Sequence, residues 1–234
     1  MESLTAEQFQ EGQVLLIDKP LNWSSFQAVN KIKWSLKKHL DLKKIKVGHA
    51  GTLDPLATGL LIVCTGKFTK RIPELQGMIK EYTGTFHIGA TTPSYDLETE
   101  IDATFPTEHI TEELLYETIA QFLGEIDQKP PVFSAIKKDG KRLYEHARKG
   151  EEVEIAARKT VIHEFEITRI ALPEVDFRVV CSKGTYIRSL AYDYGLALQS
   201  GAHLTALRRT KIGDYSVDNA MPVTDFEASV TPQS

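Results

Sequence analysis

One carboxylate in this chain is set in a frame that only a positioned group needs. Asp54 lies within Val47-Gly48-His49-Ala50-Gly51-Thr52-Leu53-Asp54-Pro55-Leu56-Ala57-Thr58-Gly59, which runs into the apolar Leu60-Leu61-Ile62-Val63-Cys64. Gly48, Gly51 and Gly59 bracket the acid, and glycine both tolerates positive φ and lets a second backbone or a ligand come close. Pro55 fixes its own φ and pushes Asp54 towards extended backbone. The pattern predicts a rigid, irregular loop that presents the Asp54 carboxylate, anchored by a buried strand on its C-terminal side. An Asp-Pro pair by itself is more often a plain turn, the side chain capping its own backbone.

Two other chemistries fail on spacing. Gly59 to Lys67 looks like a phosphate-binding loop, but six residues separate Gly59 from Gly66 and Phe68 stands where Ser or Thr is needed. Gly51-Thr52-Leu53-Asp54-Pro55 also suggests an aspartyl-phosphate enzyme, yet no second acid lies two residues on to hold magnesium. What remains is a presented carboxylate with no metal partner.

The elements that must position it read as follows. Gln13 to Ile17 is a short apolar strand ending at Asp18-Lys19-Pro20. Ser24-Ser25-Phe26-Gln27 is a capping box, and Phe26, Val29, Ile32, Leu36 and Leu40 then recur at helical spacing, so a helix runs to about Leu40 with Lys31, Lys33, Lys37 and Lys38 on its other face. Lys80 to Gly89 alternates as a strand with Tyr82, Phe86 and Ile88 on one face, where a core-facing tyrosine is the commoner case. Thr91 to Asp96 is a loop, and Thr111 caps a helix that turns Leu115, Ile119 and Phe122 inward and closes near Gly124. Val161 to Leu172 and Val175 to Cys181 are strands joined at Pro173-Glu174, and the chain turns into a helix at Gly184. Arg188 falls in that helix's first turn, where the dipole does not favour a cation, so an anionic partner is expected unless it is a plain surface arginine. The tail from Val230 to Ser234 reads as disordered.

Composition sets the class. A chain of 234 residues can bury a sizeable core in one domain. The acidic N-terminus is no signal peptide, and no apolar run reaches the roughly eighteen residues that span a bilayer. Cys64 and Cys181 sit in strand-like runs without a Cys/His cluster, which points to a reducing compartment, the cytoplasm, and no zinc site. The net charge of −4 is segregated: seven lysines between Lys31 and Lys46 face one Asp41, and Lys129 to Lys149 carries seven Lys/Arg against two acids. Between them Thr91 to Gln128 holds ten Asp/Glu and no Lys or Arg. Lysine-rich helices are usually solvated faces, but two patches flanking an acidic arc favour a polyanionic partner.

The stretch Gly48 to Gly59 resembles the catalytic loop of the TruB-type tRNA pseudouridine-55 synthase family. In that family the loop's aspartate is the essential catalytic residue, and it matches Asp54. Asp18-Lys19-Pro20 with its Ser-capped helix resembles the opening motif, whose Lys-Pro braces the loop, and Lys19 is also counted on the RNA-facing side. Lys80-Glu81-Tyr82 matches a Lys-x-Tyr strand and sets Tyr82 against the flipped uracil. Ser182-Lys183-Gly184-Thr185-Tyr186-Ile187-Arg188 matches the motif whose arginine pairs with the catalytic aspartate. His203 to Gly213 matches a further strand, and His49 matches a residue that wedges against the T-loop. The segment about 128–157 is similar to a thumb-like RNA-binding insertion, mobile without RNA, with Lys137, Lys141, Arg142, Tyr144 and Arg148 as RNA contacts and Lys183 beside them.

The resemblance implies an α+β pseudouridine synthase fold: a large mixed, mostly antiparallel sheet flanked by helices, in one catalytic domain over 1–234. Many bacterial members continue into a PUA-type domain for which this chain has no room. The implied activity is isomerisation of uridine 55 in the T-loop of tRNA, by a monomer and without cofactor or metal. Asp54 would be nucleophile or acid–base group, with attack at C6, attack at C1′ and a glycal route all open. Tyr82 would stack on the uracil and Arg188 would hold Asp54 ionised. A non-catalytic tRNA-binding or folding module, a guide-RNA-dependent synthase and a synthase for another stem-loop RNA are the alternatives.

Overall fold

The computed structural model describes residues 4–134, 137–138, 141–142 and 155–231. In chain order the strands are β1 Val14–Lys19, β2 Val47–His49, β3 Ala57–Thr65, β4 Lys80–Ile88, β5 Ala90–Thr91, β6 Ala103–Thr104 and β7 Gly124–Gln128. They continue as β8 Lys137–Lys138, β9 Lys141–Arg142, β10 Arg158–Ala171, β11 Glu174–Cys181, β12 Ala202–Ile212, β13 Tyr215–Ser216 and β14 Met221–Pro222. The α-helices are α1 Ala6–Glu11, α2 Ser25–His39, α3 Ile72–Gly77, α4 Glu112–Ile119, α5 Ile187–Ala197 and α6 Val223–Val230. The chain forms two compact units, one running to Tyr82 and resuming at Leu207, the other from Thr83 to Ala206.

In the first unit the strand order is β14-β1-β3-β12, with β2 and β13 added at the side. β1 and β2 run antiparallel to β3, whereas β12 runs parallel to it, pairing Leu207 to Arg209 with Ala57 to Gly59. β3 is buried on both faces, which is why it reads as a continuous apolar run rather than an alternating one. Leu61 and Val63 pack with Ile17, Ile32 and Phe226, while Leu60, Ile62 and Cys64 pack with Leu75 and Ile212. Each fully buried aliphatic side chain contributes about 1.5–3 kcal/mol, so β3 is the stiffest footing available to the loop before it.

α2 begins as its sequence predicts. Ser24 accepts from the Gln27 amide and the Gln27 side chain reaches back to the Ser24 amide, a complete capping box. Its buried face is Ser25, Ala28, Val29, Ile32, Ser35 and Leu36. Phe26, expected inward, is 69% exposed. At about 100° per residue it lies about 120° round from Ile32, past the edge of the apolar arc. Val230, expected in a disordered tail, instead closes α6 and is buried, while 232–234 fall outside the described residues.

In the second unit the order is β12-β4-β11-β10-β7, and β10 with β11 makes a long antiparallel hairpin. Its core is aromatic: Phe86 stacks on Phe177 with centroids 4.1 Å apart, and Phe165 and Tyr194 close around them. The buried Tyr194 hydroxyl donates to the Leu115 carbonyl at 2.8 Å, tying α4 to α5. Thr111 caps α4 as predicted. Among the described residues no helix is long and apolar enough to cross a membrane. Of the insertion, β8 and β9 pair antiparallel, Lys137 with Arg142 and Lys138 with Lys141. The expectation of a mobile arm, with Tyr144 and Arg148, falls outside the described residues.

Candidate active site

In the first unit Asp54 stands on the loop between β2 and β3, half-exposed, with its carbonyl accepting from the Ala57 amide at 3.0 Å. Two buried side chains hold that loop from behind, and a third braces the turn beside it. The Ser25 hydroxyl, in the first turn of α2, donates to the Leu53 carbonyl at 3.0 Å and accepts from the Leu53 amide at 2.8 Å. Arg209 of β12, 1% exposed, donates Nε to the Leu60 carbonyl at 2.8 Å, Nη2 to Gly51 at 3.1 Å and Nη1 to Thr52 at 3.4 Å. Lys19, at the end of β1, donates to the carbonyls of Pro20 at 2.9 Å and Trp23 at 2.6 Å, and the Asn22 amide donates to Pro55 at 2.8 Å. A serine and an arginine thus satisfy inward-facing backbone groups of the Asp54 loop, and a lysine those of the neighbouring β1–α2 loop.

Gly59 shows why the sequence needs glycine here. Its φ is +100°, and a Cβ at that position would meet the Arg209 carbonyl at 2.3 Å, because β12 runs directly alongside. Next to this contact Arg208 forms a two-pronged ion pair with Asp18, at 2.7 and 3.0 Å, that joins β12 to β1.

The buried cations shape the local field. Burial pushes the Lys19 ammonium down to about 8, against the pull of Asp54 and with further depression from Arg209. His49, the last residue of β2, is half-buried; burial lowers its pKa as well, and its Nδ1 has no hydrogen-bond partner. Lys19 requires a correction. It is fully buried and its amine is bonded to loop carbonyls, so it cannot reach an RNA phosphate; the bracing role is the one its geometry supports. Tyr82, in β4, is 8% exposed.

In the second unit Arg188 lies in the first turn of α5 and is 4% exposed, which removes the surface-arginine reading. It has an anionic partner of the kind that its place near a helix N-terminus called for: its Nε is 3.6 Å from the Asp96 carboxylate. Its fork also donates to the carbonyls of Phe133 at 2.9 Å and Ser94 at 3.3 Å. Asp96 is held in turn, accepting from the Glu98 amide at 2.9 Å, while its carbonyl accepts from Thr92 and Ser94. Lys183 is exposed in the turn before α5. Sequence reasoning missed Arg209, Ser25 and Asp96 as parts of the machinery. Arg209 left a trace, an arginine inside an otherwise strand-like run, whereas Ser25 was hidden behind the capping role of Ser24.

Two solved structures share this architecture. A Cbf5–Nop10–Gar1 complex matches with a TM-score of 0.70 at 30% identity, over 97% of this chain and 57% of that one. An H/ACA RNP bound to a substrate RNA containing 2′-deoxyuridine matches with a TM-score of 0.67 at 28% identity, over 97% and 57%. The fold is that of a pseudouridine synthase. Residues 37–187 match the TruB family pseudouridylate synthase N-terminal domain and residues 188–233 the tRNA pseudouridylate synthase B C-terminal domain, and the chain belongs to the TruB family. A tRNA pseudouridine synthase B from Flavobacterium johnsoniae is 76% identical over 97% of this chain and 100% of its own length. Another from Phocaeicola vulgatus is 61% identical over 93% of each chain.

Proposed function

We propose that this enzyme isomerises uridine 55 in the T-loop of tRNA to pseudouridine, as a cytoplasmic monomer, with Asp54 as its catalytic residue. The observation that carries the reading is the half-exposed Asp54 on a loop whose buried side is fastened by Ser25 and Arg209, with the Lys19-braced turn after β1 reaching Pro55 through the Asn22 amide. Membership of the TruB family supplies the substrate class.

The reaction breaks N1–C1′, turns the base, joins C5 to C1′ and releases the C5 proton, leaving N1 protonated. It is redox-neutral. The uridine must leave its stack at a cost of a few kcal/mol, less in a loop already partly unstacked. Asp54 acts as nucleophile or as acid–base group, Arg188 holds its carboxylate in place, and Tyr82 stacks on the extruded uracil. His49 wedges into the T-loop. Lys137, Lys141, Arg142, Tyr144, Arg148 and Lys183 contact the backbone and loop bases. A loop held rigidly before substrate arrives avoids reorganisation at the moment of reaction, the usual source of such sites' power.

The position is tested by treating a tRNA transcript with enzyme, then with a carbodiimide that marks pseudouridine, and mapping reverse-transcription stops. A new stop one nucleotide 3′ of position 55 is expected. A stop elsewhere, with none at 55, would overturn the T-loop assignment.

A further inference from the structure

The solvent face of α2 does more than keep the protein dissolved. This helix of 15 residues carries Lys31, Lys33, Lys37 and Lys38 and no Asp or Glu. Along one ridge, at steps of four, three and four residues, stand Phe26, Asn30, Lys33 and Lys37, all exposed. Beside it lie Trp34, 47% exposed, and Lys38. A merely solvating face has no use for a phenylalanine at 69% exposure or a half-exposed tryptophan.

Trp34 also orders the lysines around it. The ammonium of Lys38 sits 4.6 Å from the ring centroid and that of Lys31 4.8 Å, with Lys31 further fixed by Glu227 at 2.8 Å. Cation–π contacts of this kind reduce the rotamer freedom that a long side chain would lose on gripping a phosphate. The ridge starts where the chemistry is. Ser25, next to Phe26, exchanges two hydrogen bonds with Leu53, next to Asp54. From there the helix runs about 22 Å, at 1.5 Å per residue.

We propose that this face of α2 is a second RNA-binding surface: Phe26 stacks on an unpaired base near the reacting nucleotide, and Lys33, Lys37 and Lys38 hold the phosphate backbone that leads away from it. The proposal rests on the substrate class proposed above. Interleaved aromatic and basic side chains suit loop RNA, whose bases are free to stack while its phosphates track the cations.

The test is the dissociation constant of the full-length protein for a tRNA transcript, measured by titration at three salt concentrations. Four proteins are compared: wild type, Lys33→Glu with Lys37→Glu, Phe26→Ala, and Lys70→Glu as an exposed control of like charge. The double reversal is expected to weaken binding tenfold or more and to flatten the plot of log affinity against log salt by about one to two. Phe26→Ala is expected to weaken binding about fivefold or more with the salt slope kept. All substituted side chains are exposed, and melting curves check that each variant is folded. If the double reversal and Phe26→Ala titrate like Lys70→Glu, the surface is only solvated and the proposal is overturned. Tight binding that depends on this ridge, in a protein that releases no tritium from C5-labelled uridine, would leave the surface standing and overturn the isomerase reading instead.

Discussion

Ser25 and Leu53 exchange two hydrogen bonds, the hydroxyl of one serving both the amide and the carbonyl of the other at 2.8 and 3.0 Å. The residue preceding Asp54 is therefore fixed to the first turn of a helix, and the carboxylate inherits that fixity.

Ser25→Ala removes both bonds and leaves a buried donor and acceptor unpaired, a loss of about 1–3 kcal/mol per group at most. The expected result is a kcat reduced about tenfold to a hundredfold, with KM for tRNA little changed, because misplacement of a catalytic group by a fraction of an ångström falls on the chemical step. Single-turnover kinetics would separate the two. Wild-type kcat in a folded Ser25→Ala protein would mean that the clamp is dispensable.

Arg209 serves three carbonyls with one planar fork, and lysine offers a point charge on a flexible stem. Arg209→Lys should lower the melting temperature and depress activity together, with Gly51 and Thr52 losing their donors. Hydrogen exchange of the Asp54 loop should rise while that of the Phe86–Phe177 core does not. Uniform exchange across both would show that Arg209 acts on global stability alone.

How much of this was legible beforehand depends on what each signal reports. The Ser24–Gln27 cap and the strands around Leu61, Phe86 and Val179 follow from local residue types, and each appears where its pattern falls. Asp54 was legible because glycine and proline constrain backbone independently of tertiary context. Periodicity fixes a face only to within an arc, so Phe26 at its margin was assigned to the wrong side. The motif left Lys19 counted on the RNA-facing side as well as bracing the loop, whereas the structure buries it. Three-dimensional neighbours decide such cases: Arg209 is buried because carbonyls of a distant, irregular loop need donors, and no local pattern records that need, while Lys19 folds back onto the carbonyls of Pro20 and Trp23 in the turn that follows it. The same holds for Arg188, whose misplacement in a helix signalled an anion but did not point to Asp96 as one of its partners.

Lys19 gives stability a distinctive pH dependence. Its folded pKa lies near 8, below the 10.5 of the free side chain. Between those values the unfolded chain binds more protons than the folded one, so stability rises with pH through this window; below about 8 the penalty of the buried charge is fully present. Urea unfolding of wild type and Lys19→Met should therefore diverge in favour of wild type from pH 7.5 to pH 10, by on the order of 1–3 kcal/mol. A gap that is constant across that range would show that Lys19 keeps an ordinary pKa.

Arg188→Lys tests the second unit. The guanidinium spans Asp96 and two carbonyls at once, which an ammonium cannot match. Turnover should fall by two orders of magnitude or more while tRNA binding stays within a few-fold. Equal losses in binding and turnover would assign Arg188 to RNA recognition instead.

In the proposed function Asp54 carries out the isomerisation of a tRNA uridine. Its most direct measurement is tritium release from C5-labelled uridine in a tRNA transcript, because product and substrate have the same mass and only the lost C5 hydrogen reports the reaction. Wild type is expected to release one tritium per tRNA, and Asp54→Asn none, with both proteins binding the transcript comparably. Release by Asp54→Asn at the wild-type rate, or none by a wild type that binds tightly, would contradict the account.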